Sequence, residues 1–264
     1  MNATTPRVAV LIPALNEELA IAAVLDSVLA LGLPVIVVDD GSDDRTPRIV
    51  AERPVTLIRH ASRQGKGEAL RDGFREALAQ GFDGVVTMDG DGQHVASDVP
   101  RLLAAAAAHP HHIVLGARLV NRHRQPGYRR AANDFADWGI GWACGQRLLD
   151  TQSGQRYYPR AVLELADLPS EGFVFESDIL IEASWRAGVR VAAVPIESRY
   201  QGDFRKSHFR SLPDFLRIAG HVIAKIVRAG FLWSNFRRSR REPALLVEVP
   251  EDRSRLDPGA PARA

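Results

Sequence analysis

The chain has 264 residues, is 45% hydrophobic and 25% charged, and carries a formal net charge of +2. These values are ordinary for a globular protein with one α/β domain, or one such domain and an appendage. The single cysteine, Cys144, excludes an internal disulfide framework and a cluster of metal-bound thiolates. No apolar leader precedes Val8, and no apolar stretch reaches the roughly eighteen residues of a spanning helix, so neither secretion nor membrane spanning is predicted.

Charge is distributed unevenly along the chain. Residues 1–115 have a net charge of −5, residues 116–241 a net charge of +9, and residues 242–264 a net charge of −2. A basic middle section suits nucleic acid, anionic lipid or phosphorylated ligands. The chain has no aromatic-rich basic sheet and its predicted strands end in acids, so we do not expect nucleic acid as a partner.

Three apolar runs in the N-terminal half predict buried strands, at 8–12, 35–38 and 85–88, and each is followed by acidic residues. Two helical patterns lie between these runs. The first places Leu19, Ala23, Val24 and Val28 on one face, and the second Leu70, Phe74, Ala77 and Leu78. Strands that alternate with helices predict a parallel sheet covered on both sides, with ligands at the carboxyl ends of the strands.

Asp89 and Asp91 flank Gly90 directly after the third predicted strand. Alternate residues of an extended chain share a face, so the two carboxylates can point the same way. Two hard oxygen donors suit Mg²⁺ or Mn²⁺ shared with substrate phosphates. The alternative is a solvated turn, because Asp-Gly pairs are common turn formers.

The other strand ends also carry polar side chains. Asp39 and Asp40 can accept hydrogen bonds from a ribose or a base, whereas the alternative is that they only support a turn and a cap. Asn16 and Glu17 follow the first strand, and their alternative role is to cap a helix. Lys66, between two glycines ahead of a predicted helix, forms a plausible anion site, or else the loop is a plain entry turn.

Eight segments together resemble the family 2 glycosyltransferases of the GT-A fold, and among them the polyprenyl-phosphate (dolichol-phosphate-type) sugar transferases. They occur in the family's order: IPALNEE at 12–18, VVDDGS at 37–42, GKG at 65–67, MDGDGQ at 88–93, GAR at 116–118, DTQSG at 150–154, FESD at 175–178 and VPI at 194–196. Each segment alone is weak, but the ordered set is specific. The resemblance implies a nucleotide-sugar donor, a divalent metal at the aspartate pair and inversion at the anomeric carbon.

We therefore expect four groups of site residues. The metal ligands are Asp89, Asp91 and, as the resemblance implies, Gln93. The catalytic candidates are Asp91, Glu176 and Asp178. The donor site comprises Pro13, Asn16, Glu17, Asp39, Asp40, Lys66, Asp89 and Gly90. The resemblance places Arg118, Arg130, Gln152 and Ser153 at the phosphate and acceptor site.

Two of these groups depend on charge and helix position. Residues 118–130 contain five arginines and no acid, which favours phosphate recognition over a solvated basic loop. Glu176 and Asp178 are two apart on a predicted helix, so one points into the cleft while the other caps or pairs. A lipid phosphate acceptor needs no strong base, whereas a hydroxyl acceptor requires a carboxylate such as Asp178.

The segment 212–241, taken as a helix, has a broad apolar face and a basic stripe of Arg217, His221, Lys225 and Arg228. This pattern is typical of a helix that lies on an anionic membrane surface, and the alternative is a helix docked on the core. Residues 242–264 lack periodicity and are rich in proline, which predicts a disordered tail. We thus divide the chain into a GT-A domain at 5–210, this helix at 211–241, and the tail.

The sequence as a whole predicts an α/β, Rossmann-like three-layer domain with a mixed, mainly parallel sheet. Its expected function is inverting transfer of a sugar from a nucleotide sugar to a polyprenyl phosphate, with Mg²⁺ or Mn²⁺ as cofactor. The expected location is the inner face of the cytoplasmic membrane, as a peripheral protein. The alternatives are transfer to a hydroxyl of a glycolipid or polysaccharide, and a catalytically silent nucleotide-sugar binding protein.

Overall fold

The computed structural model describes residues 6–197 and 211–249. Within these residues the chain forms a mainly parallel sheet in the order β3-β2-β1-β4-β6-β5-β7-β8. The strands are β1 (Val8–Ala14), β2 (Val35–Asp39), β3 (Thr56–Arg59), β4 (Gly84–Thr87), β5 (His112–Ala117), β6 (Arg156–Pro159), β7 (Arg190–Pro195) and β8 (Leu245–Leu246).

Helices cover both faces of the sheet. They are α1 (Ile21–Leu29), α2 (Thr46–Ala51), α3 (Lys66–Ala79), α4 (Val99–Ala108), α5 (Gly127–Cys144), α6 (Arg160–Leu163), α7 (Val174–Ala187), α8 (Ser211–Arg228) and α9 (Trp233–Arg241). One apolar layer packs α3, α5 and α7 against the sheet, and a second packs α1 and α4 against its other face. The predicted α/β architecture with a mainly parallel sheet is confirmed.

The position of β1 determines where a ligand can bind. β1 pairs in parallel with β2 on one side and with β4 on the other, so the chain changes direction across the sheet at β1. β6 runs antiparallel to both β4 and β5. The carboxyl ends of β1, β2 and β4 therefore meet at a topological switch point, where open α/β sheets bind ligands.

The buried faces of the first helices agree only in part with the predicted ones. In α3, Leu70, Phe74 and Ala77 are buried as expected. The prediction that Leu19 is buried is wrong, because this residue precedes α1 and is 75% exposed. The buried face of α1 instead consists of Ile21, Val24, Leu25 and Val28. Val24 and Val28 are thus buried as predicted, whereas Ala23 is exposed.

The segment 211–241 is two helices rather than one. Phe231 and Leu232 have φ values of 64° and 45°, left-handed conformations that break the helix between α8 and α9. The indole Nε1 of Trp142 in α5 donates a hydrogen bond of 3.0 Å to the carbonyl oxygen of Phe231 at this break. Across the described residues, no helix has the length and apolar character needed to cross a bilayer.

The α8 helix docks its inner face on the core through Ile218, Val222 and Ile226, which are buried. The prediction of a disordered tail is wrong for residues 242–249, because Leu245 and Leu246 pair in parallel with β7. The backbone N–H of Val247 also donates to the carbonyl of Ala193 at 2.8 Å. Sequence periodicity missed this strand because it is only two residues long. The rest of the predicted tail, 250–264, lies outside the described residues.

Candidate active site

A cleft of about 950 Å³ opens at the switch point. Its floor comes from the ends of β1 and β4, and its walls come from the loop before α3, the start of α7 and one side of α8. The side chains and backbone that line it include Pro13, Glu17, Asp40, Arg63, Lys66, Asp89, Gly90, Asp91, Phe173, Asp214, Arg217 and His221. The structure thus brings six of the eight predicted donor residues, all except Asn16 and Asp39, to one cavity.

The loop after β1 is fastened to the loop after β2. Asn16 adopts a left-handed φ of 54°, its backbone N–H donates to Ser42 Oγ at 2.8 Å, and its side-chain Oδ1 accepts from Asp43 N at 2.9 Å. The backbone N–H of Glu17 donates to Thr46 Oγ1 at 2.7 Å. The N-cap of α1 is instead Ala20, which makes no side-chain cap. The alternative of simple helix capping by Asn16 and Glu17 is therefore wrong, and the two residues join the rim loops.

Asp39 and Asp40 take different positions at the end of β2. Asp40 accepts hydrogen bonds from the backbone N–H of Gln64 at 2.7 Å and of Gly65 at 2.8 Å, so it holds the loop that begins α3. Asp39 is fully buried, accepts from Ser42 N at 3.2 Å and lies 3.3 Å from Arg59. The structure therefore places Asp40 on the cleft wall and Asp39 beneath the loop, away from the predicted donor site.

Lys66 links the two sides of the cleft. Its ammonium lies 2.7 Å from Asp89 Oδ1 and 3.2 Å from Glu176 Oε2. Burial alone would lower the pKa of Lys66, but the charges of Asp89 and Glu176 outweigh it and raise this pKa above its ordinary value. Lys66 is therefore a permanent cation at the first turn of α3, beside the aspartate pair.

Asp89 and Asp91 have opposite pKa shifts. Burial would raise the pKa of Asp89, but Lys66 and His94 outweigh it and lower this pKa. Burial and the neighbouring charge of Asp89 raise the pKa of Asp91. Gln93, the third predicted metal ligand, contacts Asp91 through its backbone: its N–H donates a hydrogen bond of 3.0 Å to Asp91 Oδ1. When both aspartates are ionised, the single positive charge of Lys66 neutralises only one of the two carboxylates.

This pair fits a hard divalent cation. Both donors are carboxylates at one rim of the cleft, and burial and then repulsion from Asp89 raise the pKa of Asp91, two costs that a bound cation would offset. In the part of the chain that the structure describes, no cluster of three or more His, Cys, Asp or Glu side chains could hold a metal. The two aspartates are thus the protein's carboxylate contribution, and a ligand such as a diphosphate would have to supply further oxygens.

Arg156 is a buried residue of the site that sequence reasoning missed. Its guanidinium donates to the carbonyl oxygens of Thr151, Ser153 and Glu176 at 2.6–2.7 Å, and it is only 1% exposed. It thereby fixes the loop 150–154 against the start of α7. The available signal was an arginine inside the short strand RYYP, where a buried position demands polar partners.

The loop 150–154 passes directly beneath Asp89. Thr87 donates a side-chain hydrogen bond of 2.8 Å to the carbonyl oxygen of Gly154. A Cβ atom at Gly154 would lie 2.2 Å from Asp89 Oδ2, so only glycine fits there. Ser153 is fully buried, and the side chain of Gln152 donates to Thr151 Oγ1 at 3.3 Å. The predicted acceptor residues Gln152 and Ser153 therefore lie in a loop that supports Asp89, and neither lines the cleft.

Two arginines of the basic segment 118–130, Arg118 and Arg122, have acidic partners in the protein. Arg118 donates from Nε at 2.8 Å and from Nη2 at 2.7 Å to the two carboxylate oxygens of Asp150. Arg122 pairs with Asp134. Arg130 is exposed in the first turn of α5. The absence of acids within 118–130 was misleading because both acidic partners come from later in the chain, and the structure assigns Arg118 to a clamp with Asp150.

The two acids of α7 separate as the helix geometry predicts. Glu176 faces Lys66 and Arg156, while Asp178 points toward α8, where its Oδ1 lies 2.9 Å from His221 Nε2 and 2.5 Å from Lys225 Nζ. Burial would raise the pKa of Asp178, but His221 and Lys225 outweigh it and lower this pKa. An acid held ionised by two basic groups is a weak general base.

The same contacts involve part of the predicted basic stripe of α8. Lys225 also pairs with Glu182, and His221 and Arg217 line the cleft. Of the four basic residues, only Arg228 remains at an exposed position away from both the cleft and α7. Two of the four stripe residues, His221 and Lys225, thus attach α8 to α7.

Comparison with known proteins agrees with this fold and cleft. The family model described as "Glycosyl transferase family 2" matches residues 9–163, and the chain belongs to that family. The Polyprenol monophosphomannose synthase of Mycolicibacterium smegmatis is 32% identical over 209 residues, which are 73% of this chain and 77% of that protein. The Undecaprenyl-phosphate mannosyltransferase of Micrococcus luteus is 30% identical over 77% of this chain and 85% of its own.

A solved structure supports the same fold. The crystal structure of glucosyl-3-phosphoglycerate synthase from Mycobacterium tuberculosis, in complex with Mn²⁺, uridine diphosphate and phosphoglyceric acid, superposes with a TM-score of 0.63. The two sequences are 26% identical, and the match covers 85% of this chain and 79% of the other. The predicted GT-A architecture and glycosyltransferase class are thereby confirmed.

Proposed function

We propose that this glycosyltransferase transfers a sugar from a nucleotide-sugar donor to the phosphate of a polyprenyl-phosphate acceptor, with inversion at the anomeric carbon. The relatives named above support this acceptor class. The observation that carries the proposal is the position of α8, which places polar side chains in the cleft and apolar side chains in solvent. An acceptor with a charged head and an apolar tail matches that arrangement.

The apolar side of α8 is extensive. We define the outer stripe as Leu212, Leu216, Ile223 and Val227, whose exposed fractions run from 66% to 48%. On α5 beside it, Phe135 and Trp138 are each 44% exposed. Contiguous exposed apolar side chains of this kind mark interaction surfaces, and a lipid-bearing acceptor resides in a bilayer.

The donor is proposed to lie across the switch point. Glu17 and Asp40 face the end of the cleft beside the β1 and β2 loops, where they can accept hydrogen bonds from nucleoside hydroxyl or N–H groups. Lys66, at the N-terminus of α3, provides a fixed cation and neighbouring backbone N–H groups for the diphosphate. Asn16 supports this site indirectly by holding the β2 loop.

Asp89 and Asp91 are proposed to hold Mg²⁺ or Mn²⁺. When bound, the cation would offset negative charge on the nucleoside diphosphate leaving group. Asp89 stays ionised beside Lys66, and the backbone N–H of Gln93 orients Asp91. The lack of a side chain at Gly154 leaves room for the Asp89 carboxylate in this position.

The acceptor oxygen forms a bond to the anomeric carbon as the bond to the donor β-phosphate oxygen breaks, and the nucleoside diphosphate leaves. A phosphate monoester is already an anion near pH 7, so no protein base has to remove a proton. A hydroxyl acceptor would need a protein base to take its proton. Asp178 is a poor candidate, because its pKa is lowered and its carboxylate is paired with His221 and Lys225. This favours the phosphate acceptor.

The protein is proposed to work on the inner face of the cytoplasmic membrane. The outer stripe would enter the headgroup boundary, and the exposed arginines 237, 238, 240 and 241 of α9 would face anionic lipid. This keeps the apolar face of the sequence-based account and assigns the electrostatic contact to α9, where the sequence-based account emphasised the basic stripe of α8.

The test is transfer of radiolabelled sugar from a panel of nucleotide sugars to undecaprenyl phosphate in detergent micelles. We expect an organic-soluble product with the wild-type enzyme and none with Asp89→Asn, while Asp43→Asn, at an exposed rim position, keeps activity. Exclusive transfer to glycerol-type or sugar hydroxyls would favour the hydroxyl alternative. Binding of the nucleotide sugars without turnover on any acceptor would favour a silent binding protein.

A further inference from the structure

We infer that Arg217, on the cleft side of α8, binds the phosphate of the acceptor at the mouth of the cleft. This assignment rests on the proposed function and adds the residue that recognises the acceptor. It stands beside the predicted Arg118, whose guanidinium donates two side-chain hydrogen bonds to the Asp150 carboxylate.

Four basic side chains line the cleft within the described ranges: Arg63, Lys66, Arg217 and His221. Lys66 is held by Asp89 and Glu176, and His221 Nε2 lies 2.9 Å from Asp178. Arg63 belongs to the loop beside Gly41, at the end assigned to the nucleoside. Arg217 is therefore the cation best placed at the opposite end of the cleft.

The guanidinium of Arg217 is available to a ligand. Its side chain is 75% exposed, and its ion pair with Asp214 is long, at 3.5 Å between Nη1 and Oδ1. Asp214 is itself buried, so it orients the arginine from the protein side without covering it. A guanidinium presents paired N–H donors that match two phosphate oxygens, and this geometry distinguishes Arg from Lys.

The position of Arg217 also fits an acceptor that arrives from a bilayer. Leu216, the preceding residue, is 59% exposed and belongs to the outer stripe. Consecutive residues are about 100° apart around a helix, so Arg217 lies at the border between the stripe and the cleft. A lipid whose chain remains beside the stripe can therefore place its phosphate at Arg217, facing the aspartate pair.

The test compares Arg217→Gln with Arg228→Gln, which makes the same change at an exposed position of the same helix. Loss of a charge-assisted contact predicts a KM for farnesyl phosphate about 10–100-fold higher in Arg217→Gln, with kcat changed by less than about threefold. Arg217→Lys should recover part of this loss, because it keeps the charge without the paired donors. Nucleotide-sugar affinity and vesicle binding should equal those of the wild type in all three variants.

The outcomes separate the two proposals. Equal KM values for Arg217→Gln and Arg228→Gln, with a wild-type enzyme that glycosylates farnesyl phosphate, would overturn the Arg217 assignment alone. A wild-type enzyme that transfers to no prenyl phosphate overturns the proposed function and this assignment with it. Transfer to 3-phosphoglycerate but not to farnesyl phosphate, weakened by Arg217→Gln, would make the phosphate source a small soluble acceptor and overturn the lipid assignment.

Discussion

Lys66 Nζ lies 2.7 Å from Asp89 Oδ1, so a lysine of α3 neutralises one of the two carboxylates proposed to bind the metal. A cation held by Asp89 would compete with Lys66 for the same carboxylate. Lys66 would then be available to a donor diphosphate beside it.

Removing this lysine should separate metal binding from nucleotide binding. We expect Lys66→Met to bind Mn²⁺ about tenfold more tightly without nucleotide, because the competing charge is gone. The same variant should bind a nucleoside diphosphate more weakly. Electron paramagnetic resonance titration of Mn²⁺ measures the first effect and calorimetry the second. Arg63→Gln, in the same cleft, is the control, and unchanged Mn²⁺ affinity in Lys66→Met would refute the competition.

Asp91→Asn should abolish metal-dependent donor binding while the fold remains intact. Asp91 is a partly buried carboxylate with a raised pKa, so an amide of the same shape removes an unfavourable charge. The melting temperature should therefore be equal to or above that of the wild type. Thermal shift with a nucleoside diphosphate and Mn²⁺ checks both statements, and wild-type turnover in excess EDTA would contradict the metal proposal.

Gly154→Ala should disable the site without removing any charged group. The added Cβ would lie 2.2 Å from Asp89 Oδ2, which forces the carboxylate to move. We expect Mn²⁺-dependent donor affinity to fall by about tenfold or more, since a displacement near 1 Å is costly. The matched control is Gly220→Ala in α8, where nothing lies within 4 Å of the new atom. That control should keep activity and gain up to about 1 kcal/mol of stability.

His60 should make stability depend on pH. It lies between Asp40, at 2.9 Å, and Asp72, at 3.1 Å. Burial alone would lower its pKa, but the hydrogen bonds to these two acids raise it above the ordinary value. The stabilisation is therefore complete below about pH 6.5, the unfolded value, and is lost as pH rises through the higher folded value.

Urea unfolding of the wild type and His60→Gln tests this sign. The difference in unfolding free energy between them should be larger at about pH 5.5 than at about pH 9. His111→Gln, at an exposed position, should show no such dependence. A difference that grows with pH would mean that His60 is neutral in the folded protein.

The two elements proposed to contact the membrane, the outer stripe and α9, should respond differently to salt. Leu216→Ser with Ile223→Ser should reduce sedimentation with both neutral and anionic vesicles, because the outer stripe contributes by apolar burial. Arg238→Gln with Arg241→Gln should weaken binding only to anionic vesicles, by about 1 kcal/mol per residue at low salt. Wild-type sedimentation by the double serine variant would rule out the stripe as the contact surface.

The features that could be predicted from sequence are local ones. The three predicted strands of the N-terminal half are continuous apolar runs. The spacing of Asp89 and Asp91 can be read directly from the sequence of residues 88–93. Asp40 and Lys66 reach the cleft because strand ends and helix starts meet at one rim. These inferences need only the geometry of parallel sheets.

The features that escaped prediction depend on partners distant in the chain. Arg118 looked free because Asp150 lies 32 residues later. Lys225 seemed to face lipid because its partners Asp178 and Glu182 are on another helix. Arg156 was passed over because its acceptors are backbone carbonyls, which have no signature in the sequence. The charge pattern therefore identified the basic segments, but it did not reveal the acidic side chains elsewhere in the chain that pair with them.

The short strand β8 protects an otherwise exposed sheet edge. β7 is apolar over residues 191–194. Its outer edge pairs with the two residues of β8, and the backbone N–H of Val247 donates one further hydrogen bond to the carbonyl oxygen of Ala193. Arg101 Nε donates to Val249 O at 3.0 Å and secures the end of this segment. Loss of residues 242–249 would leave a parallel strand with unpaired backbone groups, a template for self-association between molecules. Aggregation during purification would then report on this edge and not on the catalytic cleft.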